Sequence, residues 1–236
     1  MYLDDIIVFG RTFEEQLERL ETVFERLGST NLKLKHSKCL LCQRSVEFLG
    51  HIVSAEGVAM QEKKIEAIRD WPPCRTLTEV RAFMGLTGYY RRFVKNFSLI
   101  VAPLYSLMKK DVEFEWTEKC QEAFEELKDR LMNGLILALP QDEGQYVLDT
   151  DASDFGLGAV LLQVQKDNST DKLVEKVIAY TSRTLSKAEQ KYETTRKELL
   201  AIVTGLRQHK QYLLGLKFLI RTDHAALSYG CVELSN

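Results

Sequence analysis

The chain has 236 residues, 45% hydrophobic and 28% charged, with 13 glycines and 4 prolines, which is enough apolar sequence for a packed core and excludes a disordered, collagenous or low-complexity protein. Its apolar runs, such as 6–9 and 100–103, fall far short of the roughly 20 residues of a membrane helix, and the acids Asp4 and Asp5 exclude a basic-then-apolar signal segment. Five scattered cysteines and a net charge of −2 point to a soluble intracellular chain, cytoplasmic or nuclear, with no whole-molecule field for a polyanion. The charge is unevenly spread, however. Residues 61–110 hold ten basic and four acidic side chains, a +6 block, and residues 111–150 hold three and eleven, a −8 block, so the segments have different partners or are differently solvated.

In chain order, residues 2–10 form an apolar, β-branched run ending at Gly10 and predict a buried strand entered through a turn. Thr12-x-x-Glu15 is a capping box, behind which Phe13, Leu17, Leu20, Phe24 and Leu27 recur at helical spacing until Gly28. Residues 46–53 alternate and break at Gly50, as a bent strand or hairpin does. A helical pattern from Glu62 is interrupted at Trp71-Pro72-Pro73 and restarts at a second capping box, Thr76-x-x-Glu79. Another amphipathic helix runs from about Thr117 with Cys120, Phe124, Leu127 and Leu131 inward. The rhythm then changes to strands at 146–151, 156–163 and 175–182. A long helix capped by Ser186-x-x-Glu189 is expected to reach about Leu213, followed by a strand at 217–222 and a stub of helix. Strands, helix, strand is an α/β order, distinct from the helical middle.

Two sets of acids stand where chemistry is possible. Asp4 and Asp5 interrupt an apolar strand, and at a tight turn both can face one side and hold divalent cations through hard oxygen ligands. An exposed acidic turn is the plainer alternative. Asp151, Glu198 and Asp223 each sit at the edge of an apolar element and can converge at one end of a sheet to hold a metal pair. Spacing leaves the set open, since Asp149 shares a strand face with Asp151, and Asp154 reads as a solvated loop acid. In the +6 block, Tyr89-Tyr90-Arg91-Arg92 with Lys95 combines rings that stack on bases with cations that neutralise phosphates. Some of these rings must instead belong to the core. Cys39-x-x-Cys42 with His36 imitates a zinc half-site without the second pair, and His224 beside Asp223 reads as structural or as an assistant to catalysis.

Together these strings resemble a known family. Tyr2-Leu3-Asp4-Asp5-Ile6-Ile7-Val8-Phe9 resembles the YxDD catalytic hairpin of reverse transcriptases of gypsy-type LTR retrotransposons. The resemblance continues in order through Lys38-Cys39, residues 46–51, Tyr89 to Phe93, Trp116-Thr117, Thr150 to Asp154, Tyr192, Glu198-Leu199 and Thr222-Asp223-His224, covering about residues 2–228. It implies a mixed α/β architecture: the C-terminal part of a polymerase palm (1–58), a helical thumb (59–112), a connecting helical segment (113–144) and an incomplete ribonuclease H-like domain (145–236). It further implies Asp4 and Asp5 as polymerase metal ligands, Phe48-Leu49-Gly50 in the primer grip, and Asp151, Glu198 and Asp223 as the ribonuclease H metal ligands, preferring Asp151 to Asp149. The implied activities are RNA-directed DNA polymerisation and hydrolysis of RNA in RNA/DNA hybrids. The implied cofactor is Mg²⁺, with Mn²⁺ as substitute. The implied partners are primer-template, RNA/DNA hybrid, and the upstream palm and fingers of the same polyprotein. The family's third polymerase Asp lies well upstream of the hairpin and its fourth ribonuclease H carboxylate well downstream of Asp223. The chain is therefore expected to be clipped at both ends, with polymerase activity lost and hybrid cleavage the more open activity. A non-catalytic nucleic-acid-binding remnant is the alternative function.

Overall fold

A computed structural model of the protein describes residues 5–110, 112–167, 170–224 and 227. The chain divides into two compact units, residues 1–55 and 56–236. In the first, helix α1 (Phe13–Ser29) starts where its capping pattern places it. The Thr12 hydroxyl accepts from the Glu15 amide at 3.2 Å, and the Glu15 carboxylate accepts from the Arg11 amide at 2.6 Å. The helix is amphipathic but buries none of its residues, and Phe13, Leu17 and Phe24 stand open to solvent. The strand expected over residues 2–10 is not formed across its described part. Asp5 makes only an isolated bridge, 6–10 are irregular, and Phe9 is 70% exposed. A strand is held by its neighbour's hydrogen bonds, and among the described residues of this unit none pairs with 6–10. Strands β1 (Ser45–Phe48) and β2 (His51–Ser54) do form the expected hairpin, in antiparallel register from Ser45↔Ser54 to Phe48↔His51. Its two-residue turn places Leu49 at φ 48° and Gly50 at φ 72°. This is the left-handed pair that matches strand twist, with a leucine where asparagine would be relaxed.

The second unit opens with strand β3 (Gly57–Met60), whose Val58 forms an isolated antiparallel bridge with Leu137 through bonds of 2.7 and 2.9 Å. Helices α2 (Glu62–Arg69), α3 (Leu77–Tyr89), α4 (Phe97–Ile100), α5 (Ala102–Leu107) and α6 (Glu118–Met132) follow, with a single 3-10 turn at Arg91–Phe93. Thr76 caps α3 as its sequence predicts. Cys120, Phe124, Leu127 and Leu131 are the buried stripe of α6. Trp71, Phe83, Phe124 and Trp116 stack in sequence at centroid distances of 5.7, 4.6 and 5.8 Å. Full burial of such side chains contributes about 1.5–3 kcal/mol each.

The C-terminal sheet runs β6 (Leu173–Thr184), β5 (Gly156–Lys166), β4 (Tyr146–Ala152), β7 (Phe218–Thr222). The first three strands are antiparallel, and β7 lies parallel to β4. Helix α7 (Thr194–Gln208) covers one face, with Gly205 packed against Leu148 and Ala159. It is shorter than its sequence pattern predicts. Ser186 and Glu189 do make reciprocal capping bonds, but they close only a 3-10 turn, and both terminal nitrogens of Arg183 also clamp Glu189 at 2.9 Å. The backbone then extends through Tyr192 and Glu193. α7 begins after them and breaks at His209 before the single turn α8 (Lys210–Leu213). The expected terminal stub of helix lies outside the described residues apart from Leu227.

The opposite face of the sheet is covered by residues 91–100. The Arg91 guanidinium donates to the Ser182 carbonyl at 2.6 Å, Arg92 donates to the Ile178 carbonyl at 3.4 Å, and Ser98 bonds Ser182 through both its amide and its hydroxyl. Two glycines of β5 make room for this segment. A Cβ on Gly156 would stand 2.6 Å from the Leu99 side chain, and one on Gly158 would stand 2.8 Å from the Asn96 amide oxygen.

Candidate active site

The parallel pairing of β4 with β7, which sets Thr150 beside Thr222, brings Asp151 and Asp223 to the same end of the sheet. Helix α7 presents Glu198 to that end from its second turn. One carboxylate oxygen from each of Asp151, Glu198 and Asp223 lies within 4.8 Å of the others. Asp151 and Asp223 are exposed, whereas Glu198 is only 3% exposed, and its Oε2 is buried with no hydrogen-bond partner among the described residues. Burial first, then the neighbouring charges of Asp223 and Asp151, push the Glu198 carboxyl above the usual carboxylate range. A buried acceptor facing two further carboxylates is satisfied by a cation, and three hard oxygen donors suit a divalent one of the Mg²⁺ or Mn²⁺ type. The donor set fits such an ion.

The competitor Asp149 is otherwise engaged. Its two oxygens accept from Arg221 Nε and Nη2 at 2.6 and 2.9 Å, and the same guanidinium forks onto Glu175 at 2.8 Å. These bonds hold Arg221 firmly protonated. Asp149 is thus neutralised, while Asp151, its neighbour two residues on, groups with the carboxylates of Glu198 and Asp223.

The turn between β4 and β5 is closed by Ser153. Its amide and hydroxyl donate to the Gly156 carbonyl at 2.8 and 3.1 Å, and its hydroxyl accepts from the Phe155 and Gly156 amides. Asp154 projects from this turn to the ammonium of Lys197 at 2.7 Å, which holds its carboxyl below the usual range. His224 Nε2 lies 3.2 Å from the Thr195 hydroxyl, and its Nδ1 is buried with no partner among the described residues. Lys95 and Asn96 share with Asp149, Thr150, Asp151 and Gly158 a cavity of about 80 Å³.

The remaining sequence candidates are dispersed. Asp4 lies outside the described residues, and Asp5 is exposed. Phe48, Leu49 and Gly50 form the half-buried tip of the β1–β2 hairpin. Tyr89 is 53% exposed and Lys95 is exposed, but Tyr90 is 1% exposed and stacks edge-on against Tyr89. Arg91 and Arg92 bond the carbonyls of β6, as described above. Among the described residues His36, Cys39 and Cys42 form no metal-binding group, and both cysteines are free thiols. Sequence reasoning missed Arg221 and Lys197. The partner of Arg221 is 72 residues away and depends on β4 and β7 being adjacent, so no local pattern announces it. Lys197 carries a faint signal, a cation in the first turns of a helix where the dipole disfavours it.

Residues 1–53 match the family described as reverse transcriptase (RNA-dependent DNA polymerase). Residues 116–220 match the RNase H-like domain found in reverse transcriptase. Among curated proteins the chain is 42% identical over 231 residues to the retrovirus-related Pol polyprotein from transposon 297 of Drosophila melanogaster, covering 97% of this chain and 21% of the relative. It is 33% identical over 246 residues to that from transposon gypsy of the same organism, covering 99% of this chain and 23% of the relative. It is 33% identical over 228 residues to the transposon Tf2-3 polyprotein of Schizosaccharomyces pombe, covering 96% of this chain and 17% of the relative. The chain therefore spans about a fifth of the length of these relatives. Among solved structures it resembles the foamy viral protease-reverse transcriptase in complex with RNA/DNA hybrid (TM-score 0.74, 26% identity, 91% of this chain and 28% of that one). It resembles equally the same protein in complex with dsDNA (TM-score 0.74, 26% identity, 91% and 44%). The chain carries reverse-transcriptase sequence followed by an RNase H-like domain, and its homologues are the Pol polyproteins of retrotransposons.

Proposed function

We propose that residues 145–236 form a ribonuclease H-like domain that hydrolyses the RNA strand of RNA/DNA hybrids. Asp151, Glu198 and Asp223 would hold divalent cations, Mg²⁺ or in its place Mn²⁺. The convergence of these three carboxylates around the buried, unpartnered Glu198 oxygen carries the reading. When bound, the metals would lower the pKa of an attacking water and stabilise the leaving oxygen of the phosphodiester. The chain's own part is positional: β4 and β7 fix two carboxylates at one sheet end, and α7 brings the third from above with its oxygen already stripped of water. Arg221 removes Asp149 from the ligand set. Tyr89 and Lys95 are exposed side chains of the segment read as a thumb, and the structural neighbours bound to RNA/DNA hybrid and dsDNA support a nucleic-acid partner.

We further read residues 1–58 as the end of a palm, 59–112 as a thumb and 113–144 as a connecting segment, with Asp4 and Asp5 as polymerase carboxylates and Phe48-Leu49-Gly50 as part of the primer grip, a reading supported by the reverse-transcriptase match over residues 1–53. The uncovered apolar face of α1 supports a partner in the upstream palm and fingers of the polyprotein. The test of the ribonuclease reading is cleavage of a labelled RNA/DNA hybrid by purified protein, with Mg²⁺ and then Mn²⁺, against Asp151→Asn prepared identically. Cleavage by the wild type, falling by at least about a hundredfold in the variant, is expected. Equal cleavage by both proteins, or none by either, overturns the reading.

A further inference from the structure

Lys197 is an awkward residue to find where it is. It is 7% exposed, lies in the second turn of a helix whose N-terminus carries positive dipole charge, and directly precedes Glu198, the buried member of the carboxylate cluster. A buried ammonium there is disfavoured by desolvation and by the helix dipole, and it would repel any cation the cluster holds. One bond offsets this, the 2.7 Å contact to Asp154, whose own side chain is 82% exposed.

Asp154 is three residues beyond Asp151, on the turn that Ser153 closes with its bonds to Phe155 and Gly156. The pair therefore joins two rigid pieces, the β4–β5 turn and the start of α7, each of which carries a metal-cluster carboxylate within three residues of the link. Resting on the ribonuclease reading above, we propose that Asp154 and Lys197 are positioning residues. Their ion pair clamps α7 to the β4–β5 turn and so sets the spacing of Asp151 and Glu198 before any cation arrives. Three mutually repelling carboxylates push their supports apart, and a cross-brace next to two of them opposes that motion.

The test is calorimetric titration of the full chain with Mn²⁺, alongside the melting temperature of each protein. Asp154→Asn, at an exposed position where folding is not at stake, and Lys197→Met, which keeps the apolar stem, are each expected to bind Mn²⁺ about 10–100-fold more weakly, the usual effect of losing a partner behind a metal ligand. The double variant is expected to be no weaker than either single one, and Lys197→Arg, which still reaches Asp154, is expected to recover most of the affinity. A purely electrostatic role predicts the opposite sign for Lys197→Met, since removing a cation from beside the cluster would tighten binding. Tighter binding by Lys197→Met, or Asp154→Asn within twofold of the wild type, overturns the brace while leaving the carboxylate cluster standing. No Mn²⁺ binding by the wild type overturns both.

Discussion

Glu198 carries an energetic cost that a backbone bond from Ala152 and the nearby His224 relieve only in part. Its carboxyl is buried against two others, and the upward push on its pKa means that the ionised form is disfavoured in the fold relative to the open chain. Replacing it by the isosteric neutral amide removes that penalty. Glu198→Gln is expected to raise the melting temperature in the presence of chelator at neutral pH, by roughly 2–4 °C per kcal/mol of repulsion relieved. Millimolar Mg²⁺ is expected to raise the melting temperature of the wild type but not of the variant, as calorimetric scans with and without the metal would show. An unchanged melting temperature in chelator would mean that the two aspartates do not strain Glu198. The three acids of this site are all visible in the sequence, because acids at the ends of apolar elements are conspicuous. What separates Asp151 from Asp149 is Arg221, a contact between strands far apart in the chain, and no window of sequence contains it.

At the level of elements, the break in α7 at His209 is instructive. The imidazole is 3% exposed, with Nε2 3.0 Å from the Thr181 hydroxyl of β6, its ring 6.4 Å from that of Tyr212 in α8, and the charge of Arg92 from the opposite side of the sheet acting on it. Burial, and then Arg92, lower its pKa from 6.5 to about 4. The folded protein keeps His209 neutral, whereas the unfolded chain takes up a proton below about pH 6.5. Unfolding therefore binds a proton between those values, and stability is full above about pH 6.5 and falls as pH drops towards 4, by on the order of 3 kcal/mol. His209→Gln is expected to flatten that part of the curve of urea midpoint against pH. An equally steep curve in the variant would place the acid sensitivity elsewhere. Elements with their own local signals, such as α1 and α3 with their threonine caps and α6 with its stripe, were legible from sequence. Two others were not. The 2–10 run has strand composition without a described partner strand, and the Ser186 cap closes only a short turn before the backbone extends again at Tyr192 and Glu193.

At the scale of the molecule, residues 56–236 behave as one unit because residues 91–100 are both the end of a helical bundle and the second covering layer of a sheet. The Arg91 bond to Ser182 is charge-assisted, and its loss costs about 2 kcal/mol. Arg91→Ala is thus expected to lower the melting temperature by roughly 4–8 °C. An unchanged melting temperature in Arg91→Ala would contradict the shared unit. This joint was the least legible part of the fold. Tyr90, Arg91 and Arg92 have the composition of a nucleic-acid contact, and only the neighbouring strand reveals that the ring is core and that the guanidinium groups bond backbone carbonyls.

Gly156 and Gly158 extend the point to how such a protein can be recombined. Their missing side chains are the sockets for Leu99 and Asn96, so the sheet carries an imprint of the segment packed on it. A hybrid chain assembled by crossing over within residues 101–144 would join a socket to a foreign plug, and the mismatch would lie one strand away from Asp151. Exchanges that carry residues 91–100 along with the sheet keep the imprint matched, and that stretch marks the natural seam for building chimaeras between related elements.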